Sequence, residues 1–266
     1  MNVTFDYRDT VALVTGSGSG IGRASALAFA TAGADVAVAD ISETAGRASV
    51  ELIRSAGGSA EFFPVDVADP DSAERLIAAI VARYGKLDIA HNNAGVEGVH
   101  EPLADIPVED WRRVIDVDLS SVFYCMRAEI PVMVAQGGGV IVNTASASGL
   151  IGGYGLGAYT AAKHGVIGLT RAAALDYGER NIRINAVCPG PIDTPFISGL
   201  PTEQLDRLTL NSGMVRLGQA EEIAQAVLWL CSPGASFVTG HPMAVDGGVV
   251  VGGFGTRSDD LVAAAL

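Results

Sequence analysis

Tyr159 and Lys163 stand four residues apart in the run YTAAK, inside a segment of helical period. Their side chains therefore share one helix face, one turn apart. A phenol with its ordinary pKa near ~10 is a poor base at neutral pH, but a neighbouring ammonium favours the phenolate and brings it toward the working range. Such a pair can take a proton from an alcohol or return one to a carbonyl oxygen. Ser146 lies thirteen residues before Tyr159, just past the apolar run Gly139 to Thr144, where it could hydrogen-bond the same substrate oxygen. A bare Tyr-x-x-x-Lys pair is common in helices and ordinarily means a lysine snorkelling over the surface. Here it follows a nucleotide site in sequence order, and that reverses the weight.

The nucleotide site is a glycine turn. The strand-like run Val11 to Gly16 leads into TGSGSGIG, Thr15 to Gly22, and a helical pattern starts directly afterwards. Backbone N–H groups and the positive helix end can then meet a pyrophosphate. The spacing is G-x-x-x-G-x-G through Gly16, Gly20 and Gly22, not the more familiar G-x-G-x-x-G, so an ordinary glycine-rich turn is the competing reading. Asp40 closes the second strand, eighteen residues beyond Gly22. A carboxylate there accepts hydrogen bonds from both adenosine ribose hydroxyls and repels a 2′-phosphate, which selects NAD; a cap on the next helix is its bland alternative, and Ser42 is better placed for that duty. Two further strand ends are polar: Asp66-Val67, and Asn92-Asn93-Ala94-Gly95. Ligands of open parallel sheets bind at such carboxyl ends.

The elements that must position these residues alternate along the chain. Seven strand-like runs are expected at Val11 to Gly16, Asp35 to Asp40, Ala60 to Val67, Leu87 to Asn92, Gly139 to Thr144, Ile182 to Val187 and Pro242 to Asp246. Most are continuously apolar, as strands covered on both faces are. Helical periods at Ile21 to Ala32, Glu43 to Ala56, Ser72 to Tyr84, Val108 to Ala135, Tyr159 to Tyr177 and Glu221 to Leu230 supply the crossovers. The expected fold is α/β: one doubly wound Rossmann-type domain over residues 1–266, with a mainly parallel seven-stranded sheet and helices on both faces. Gly33, Gly57, Gly85, Gly137 and Gly178 each follow a helix and read as left-handed stops. The segment 192–215 shows no regular pattern and is the candidate substrate lid. The tail 249–266 begins apolar and glycine-rich, and is a candidate for contact with a neighbouring subunit.

Composition narrows the function classes. In 266 residues, 49% are hydrophobic and 18% charged, enough apolar material for a core. Seventeen basic against thirty acidic side chains leave a net charge of −13, which repels a phosphate backbone and argues against nucleic acid as partner. No apolar run approaches the ~20 residues of a membrane helix, and Met1 to Asp9 has no apolar stretch of the signal-peptide kind, so no membrane association is expected and a cytoplasmic address follows. Cys125, Cys188 and Cys231 are odd in number and flanked by apolar residues, which suits free thiols in a reducing compartment. His91, His100, His164 and His241 show no metal-ligand spacing.

Taken as an ordered set, TGSGSGIG, NNAG, Ser146 with YTAAK, and Pro189-Gly190 resemble the classical short-chain dehydrogenase/reductase family over about Val11 to Gly248. The resemblance implies Tyr159 as catalytic base, Lys163 binding the nicotinamide ribose and lowering the tyrosine pKa, and Ser146 orienting the substrate. It implies that Ser19, Gly20 and Ile21 hold phosphates, that Asp66 and Val67 flank adenine, and that Asn93 sits near the adenine-side ribose. Ile192 and Thr194, after Pro189, would hold the nicotinamide carboxamide, and Gly16, Gly22 and Gly95 complete the cofactor site. One residue departs from the pattern: Asp118, in WRRVIDVDLSSVF, stands where the family usually carries an Asn that helps hold a proton-relay water. It is kept as a catalytic candidate. The implied activity is an NAD-dependent alcohol dehydrogenase or ketone reductase, a homotetramer, acting on a small secondary alcohol or its ketone. A silent NAD-binding regulator is the alternative, opposed by the intact Ser146, Tyr159 and Lys163. A Ser-Lys hydrolase fails for want of a nucleophile elbow. The presumed pocket residues, Leu150, Ile151, Tyr154, Phe196, Ile197, Leu200, Leu205, Leu208 and Met214, suggest an apolar or cyclic substrate.

Overall fold

The computed structural model describes residues 4–210 and 212–252. Strands β1 (Val11–Thr15), β2 (Asp35–Asp40), β3 (Ser59–Pro64), β4 (Ile89–Asn92), β5 (Gly139–Thr144), β6 (Ile182–Pro189) and β9 (Pro242–Val245) form one sheet in the order β3-β2-β1-β4-β5-β6-β9. Every pairing in it is parallel. The order reverses between β1 and β4, which opens a crevice at the carboxyl ends where the polar strand ends lie.

Side-chain alternation along β1 explains the unbroken apolar runs. Ala12 and Val14 point into one core with Phe29, Val50, Ile223 and Val227, whereas Val11 and Leu13 point into the other with Leu76, Ile80, Met133 and Val166. The first core is roofed by α1 (Gly20–Thr31), α2 (Glu43–Ser55) and α8 (Ala220–Cys231); the second by α3 (Pro70–Tyr84), α5 (Ser121–Gln136) and α6 (Gly157–Tyr177). Both faces of the strand are dry, so both must be apolar. Strand β3 stops at Pro64, earlier than the apolar run suggests; a proline suits this edge position, where one side has no ladder partner. Asp66 and Val67 therefore lie in the loop after β3.

Helix ends follow their local chemistry. Asp69 accepts from the Asp71 N–H at 3.0 Å ahead of Pro70, and α3 ends on Gly85 at φ 82°. Gly178 departs from the expected stop: its φ is −58°, because the chain continues through a 3₁₀ turn at Gly178–Arg180 and the left-handed position falls on Asn181, φ 59°. The single helix expected over Val108 to Ala135 is broken in phase. It comprises α4 (Val108–Ile115), a π turn at Asp116–Ser120 and α5. The expected irregular segment 192–215 also contains regular structure: β7 (Ile192–Asp193), paired in parallel with β8 (Gly218–Gln219), and α7 (Thr202–Leu210). Among the described residues no helix is long and apolar enough to cross a membrane. The three cysteines are free and buried.

Candidate active site

A cleft of about 1830 Å³ runs along the carboxyl ends of the strands. That is roughly twice the upper end of the ~300–1,000 Å³ range of drug-sized pockets, room for an extended ligand and a second small one. One end is the glycine turn. Gly16 and Gly20 have φ 62° and 50°, a region costly for other residues. Gly22 serves closeness: a Cβ there would lie 2.2 Å from the Gly16 carbonyl oxygen and 2.6 Å from Asn93 Nδ2. Ser19 is the N-cap of α1 without a side-chain cap bond, and the first turn of α1 holds no acidic residue. The free N–H groups and positive end of that helix face the cleft beside Ser19, Gly20 and Ile21.

Asp40, at the end of β2, is fixed before any ligand arrives. Its Oδ2 accepts from Gly18 N–H at 2.7 Å and its Oδ1 from Ser42 N–H at 2.8 Å, and each oxygen keeps a lone pair. Arg23, the nearby cation, is committed elsewhere: it donates to Ser49 Oγ at 3.0 Å and to the Gly18 carbonyl. Asp66 and Val67 line the same end, with Asp66 Oδ1 accepting from Ala68 N–H at 3.0 Å.

Three strand ends are stitched together behind the cleft. Thr15 Oγ1 accepts from the N–H groups of Asn93 and Ala94 at 2.9 and 3.2 Å, and Asn93 Nδ2 donates to Thr15 O at 3.1 Å. Thr144 Oγ1 donates to Asn93 Oδ1 at 3.3 Å. The Asn93 side chain is thus engaged in the frame joining β1, β4 and β5. Thr15 carries much of this frame, and the sequence reading passed over it because a threonine in an apolar run reads as an ordinary strand former.

The other end brings Ser146, Tyr159, Lys163 and Asp118 together. Tyr159 and Lys163 lie on α6, with Lys163 Nζ 5.4 Å from the Tyr159 ring centre. The Ser146 hydroxyl, past the end of β5, lines the cleft with Tyr159 and accepts from Ser148 N–H at 3.0 Å. Lys163 is buried, and its ammonium donates to the Thr144 carbonyl at 3.2 Å and meets Asp118 Oδ1 at 3.0 Å. Asp118 is also fully buried, placed by the π turn, and accepts from Val96 N–H at 3.2 and 3.3 Å. Gly95 leaves room for this contact, since a Cβ there would be 2.5 Å from Asp118 Oδ1. The Thr144 carbonyl and Val96 N–H were not foreseen, because backbone partners leave no residue-type signal.

Burial raises the Tyr159 pKa above the ordinary phenol value; Lys163 acts against it, Asp118 with it, and Ser146 against it. Burial pushes the Lys163 ammonium toward neutrality, but Asp118 and Tyr159 outweigh that and hold it above its usual value. Burial raises the Asp118 carboxyl, with Lys163 opposing.

Pro189, Ile192 and Thr194 line the middle of the cleft. On the substrate side, Phe196 packs against Tyr159 with ring centres 6.2 Å apart, and Ile151, Tyr154, Ile197, Leu200 and Leu208 line the wall. Leu150 instead packs against the core beside α6, and Leu205 and Met214 lie outside the lining, a correction to the expected pocket. Val249, Val251 and Gly252 line the cleft of their own chain; the rest of the tail, from 253, lies outside the described residues. Among the described residues no three His, Cys, Asp or Glu side chains cluster as a metal site requires.

Comparison with known proteins agrees with this geometry. A family model described as enoyl-(acyl carrier protein) reductase matches residues 16–250. The chain is 46% identical over 241 residues to a cyclohexanol dehydrogenase of Acinetobacter sp. (strain SE19), spanning 91% of this chain and 95% of the relative. It is 42% identical over 247 residues to a 2,5-dichloro-2,5-cyclohexadiene-1,4-diol dehydrogenase of Sphingobium indicum, spanning 91% and 98%. Among solved structures it is similar to a 7α-hydroxysteroid dehydrogenase complexed with NADH and 7-oxo glycochenodeoxycholic acid, with a TM-score of 0.87, 36% identity and coverage of 91% and 95%. With a glycine turn opening α1 at one end of the cleft and Ser146, Tyr159 and Lys163 at the other, the chain belongs to the classical short-chain dehydrogenase/reductase family of oxidoreductases.

Proposed function

We propose that the chain, working as a single domain, is an NAD-dependent dehydrogenase that passes a hydride between a small alicyclic secondary alcohol, or its ketone, and the nicotinamide. The observation that carries this reading is the convergence of Ser146, Tyr159 and Lys163 at one end of a cleft whose other end presents Asp40 and the open N-terminus of α1. The residues present fit a dinucleotide. The first-turn N–H groups of α1 suit a diphosphate, Gly16 and Gly22 let the turn pack closely against Ala94 and Asn93 in the shape that bares those groups, and the Asp40 oxygens suit a ribose diol. When bound, NAD supplies the hydride acceptor. The protein's own part is positional and acid/base: Ser146 and Tyr159 hold the substrate oxygen, Tyr159 takes its proton, and Lys163 favours the phenolate. Ile151, Phe196 and Leu200 offer an apolar wall to a ring and keep water off the reacting carbon. The cyclohexanol and cyclohexadienediol dehydrogenases among the relatives support the substrate class, and the buried free thiols suit a cytoplasmic enzyme.

The test is NAD reduction over a panel of alicyclic alcohols, steroids, sugars and 3-hydroxyacyl thioesters. The alicyclic alcohols are expected to give the highest kcat/KM, and NADP is expected to serve poorly. In the same assay Asp40→Ala should cut the NAD-to-NADP preference at least ~10-fold, the scale of one hydrogen-bonding interaction of ~1.4 kcal/mol. Because Asp40 also holds Gly18 and Ser42 N–H groups, the variant loosens the turn for both cofactors, and the ratio isolates ribose recognition. Equal efficiency with both cofactors in the unmodified protein contradicts the assignment.

The same reading includes a homotetramer. Phe123 on α5 and Leu175 on α6 are 48% and 86% exposed on helices whose other faces are core, which leaves apolar surface for a neighbouring subunit. Light scattering at micromolar concentration is expected to give four times the chain mass of 27.2 kDa, and a stable monomer contradicts it.

A further inference from the structure

We propose that Asp118 is a positioning residue that tunes the reaction by occupying the Lys163 ammonium at 3.0 Å, so that Lys163 faces Tyr159 as half of a neutral pair and not as a free cation. The inference rests on Tyr159 being the proton acceptor, and it concerns what sets the pH at which Tyr159 serves.

The geometry is specific. Lys163 has three N–H bonds to give. One goes to the Thr144 carbonyl at 3.2 Å, and the ammonium lies 3.0 Å from Asp118 Oδ1 as an ion pair, so both partners draw it away from the open cleft. Asp118 in turn has Val96 N–H on its carboxylate and no exposed surface. Its charge is therefore screened by neither water nor salt, and it acts on its neighbours at low effective dielectric. Gly95 is the only residue type that lets the two groups meet, because a Cβ would stand 2.5 Å from Asp118 Oδ1 and 3.4 Å from Lys163 Nζ. A neutral asparagine at 118 could fill the same space but would leave the ammonium uncompensated.

The charged and titratable groups facing this centre come from every element around it. Lys163 stands on α6 beside Tyr159 itself, Asp118 on the π turn, Glu97 on the loop after β4, and Cys188 on β6 toward Lys163. Arg113, near the end of α4, acts on Asp118. Ser146 is the neutral polar neighbour that acts on the phenol. Of these, Lys163 and Ser146 favour the phenolate, whereas Asp118 and Glu97 oppose it. Asp118 differs from Glu97 in being in direct contact with the lysine, so it removes help as well as adding repulsion.

The sign follows. In alcohol oxidation Tyr159 must be deprotonated, so activity rises with pH through its pKa; in ketone reduction it must be protonated, so activity falls through the same pKa. Removing the Asp118 charge lowers that pKa. Asp118→Asn is therefore expected to move the acidic limb of kcat/KM for oxidation, and the alkaline limb for reduction, both downward by about one unit, the lower end of what a nearby charge produces. A role confined to holding the fold would lower activity without moving either limb.

The experiment is the pair of pH profiles for the unmodified protein, Asp118→Asn and Asp118→Ser, together with tyrosinate absorbance of each protein without cofactor, with the matching Tyr159→Phe protein subtracted. Both limbs shifting down in both variants, with the tyrosinate midpoint following, is the expected result. Unmoved or upward-shifted limbs overturn the proposal. If neither variant folds, Asp118→Glu, which keeps the charge beside Lys163, still decides: its limbs should stay where those of the unmodified protein lie, and limbs moved down by about one unit despite the retained charge overturn the proposal. A Tyr159→Phe protein that keeps its turnover defeats the functional reading itself, whereas a Tyr159→Phe protein that is inactive beside an unshifted Asp118→Asn defeats only this inference.

Discussion

Tyr159→Phe is expected to lower turnover by about 10²–10⁴-fold, the range for loss of a positioned acid/base, while NADH binding persists. The ring stays packed against Phe196, so the variant removes the proton acceptor and leaves the wall intact. The glycine-turn end of the cleft, formed by Gly16, Ser19 and Asp40, lies on other elements and is untouched. The check is steady-state turnover on an alcohol accepted by the unmodified protein, with NADH affinity followed by fluorescence. If the phenol acts only in the proton transfer of the proposed reaction, the loss should fall on kcat and kcat/KM together. Near-normal turnover would show that another group takes the proton.

Lys163→Met carries the largest expected effect on stability. The lysine side chain is 3% exposed and its partner Asp118 0%, so the variant leaves a buried carboxylate facing a thioether. Breaking one side of a buried ion pair costs about 3–5 kcal/mol. Denaturant unfolding at neutral pH measures it, and Asp118→Asn in the same chain should restore much of the loss, because it removes the orphaned charge. The pH dependence has a definite sign. Without the ammonium, burial alone raises the Asp118 carboxyl above its unfolded value near ~4, so the folded state binds the proton more tightly than the unfolded state does. The penalty is therefore absent below pH ~4 and grows as pH rises through the raised folded value. A variant equally destabilised at acid and neutral pH would mean that lost packing, not lost charge, dominates.

The juxtaposition of Tyr159 and Lys163 was legible because its geometry is periodic: four residues on a helix place them together whatever surrounds them. Asp40 and the glycine turn were legible for a similar reason, since a strand end followed by a helix start admits few backbone paths. What escaped was non-periodic. The π turn at Asp116–Ser120 has no residue-type signature, and without it the aim of Asp118 at Lys163 could not be foreseen. Helix α7 is short and polar in its first turn, so the segment around it read as irregular. Gly178 misled because a glycine after a helix is a permitted stop and not a required one, and the 3₁₀ turn carried the chain on to Asn181. Leu150 read as pocket for want of any sequence sign separating a wall facing a cleft from one facing the core.

The π turn has a consequence for the rod formed by α4 and α5. One extra residue within a turn advances the following helix by about 100° relative to an unbroken one. The rod is thus a phase shifter. Its first segment presents Val114 to Ala158 and Ala162 of α6, while its second presents Met126, Ile130 and Met133 to the sheet. A uniform helix carrying the same residues would swing one of those stripes out of contact. Losing a residue between 116 and 120 would therefore do more than shorten the turn that holds Asp118: it would force the rod to choose between gripping α6 and gripping the sheet.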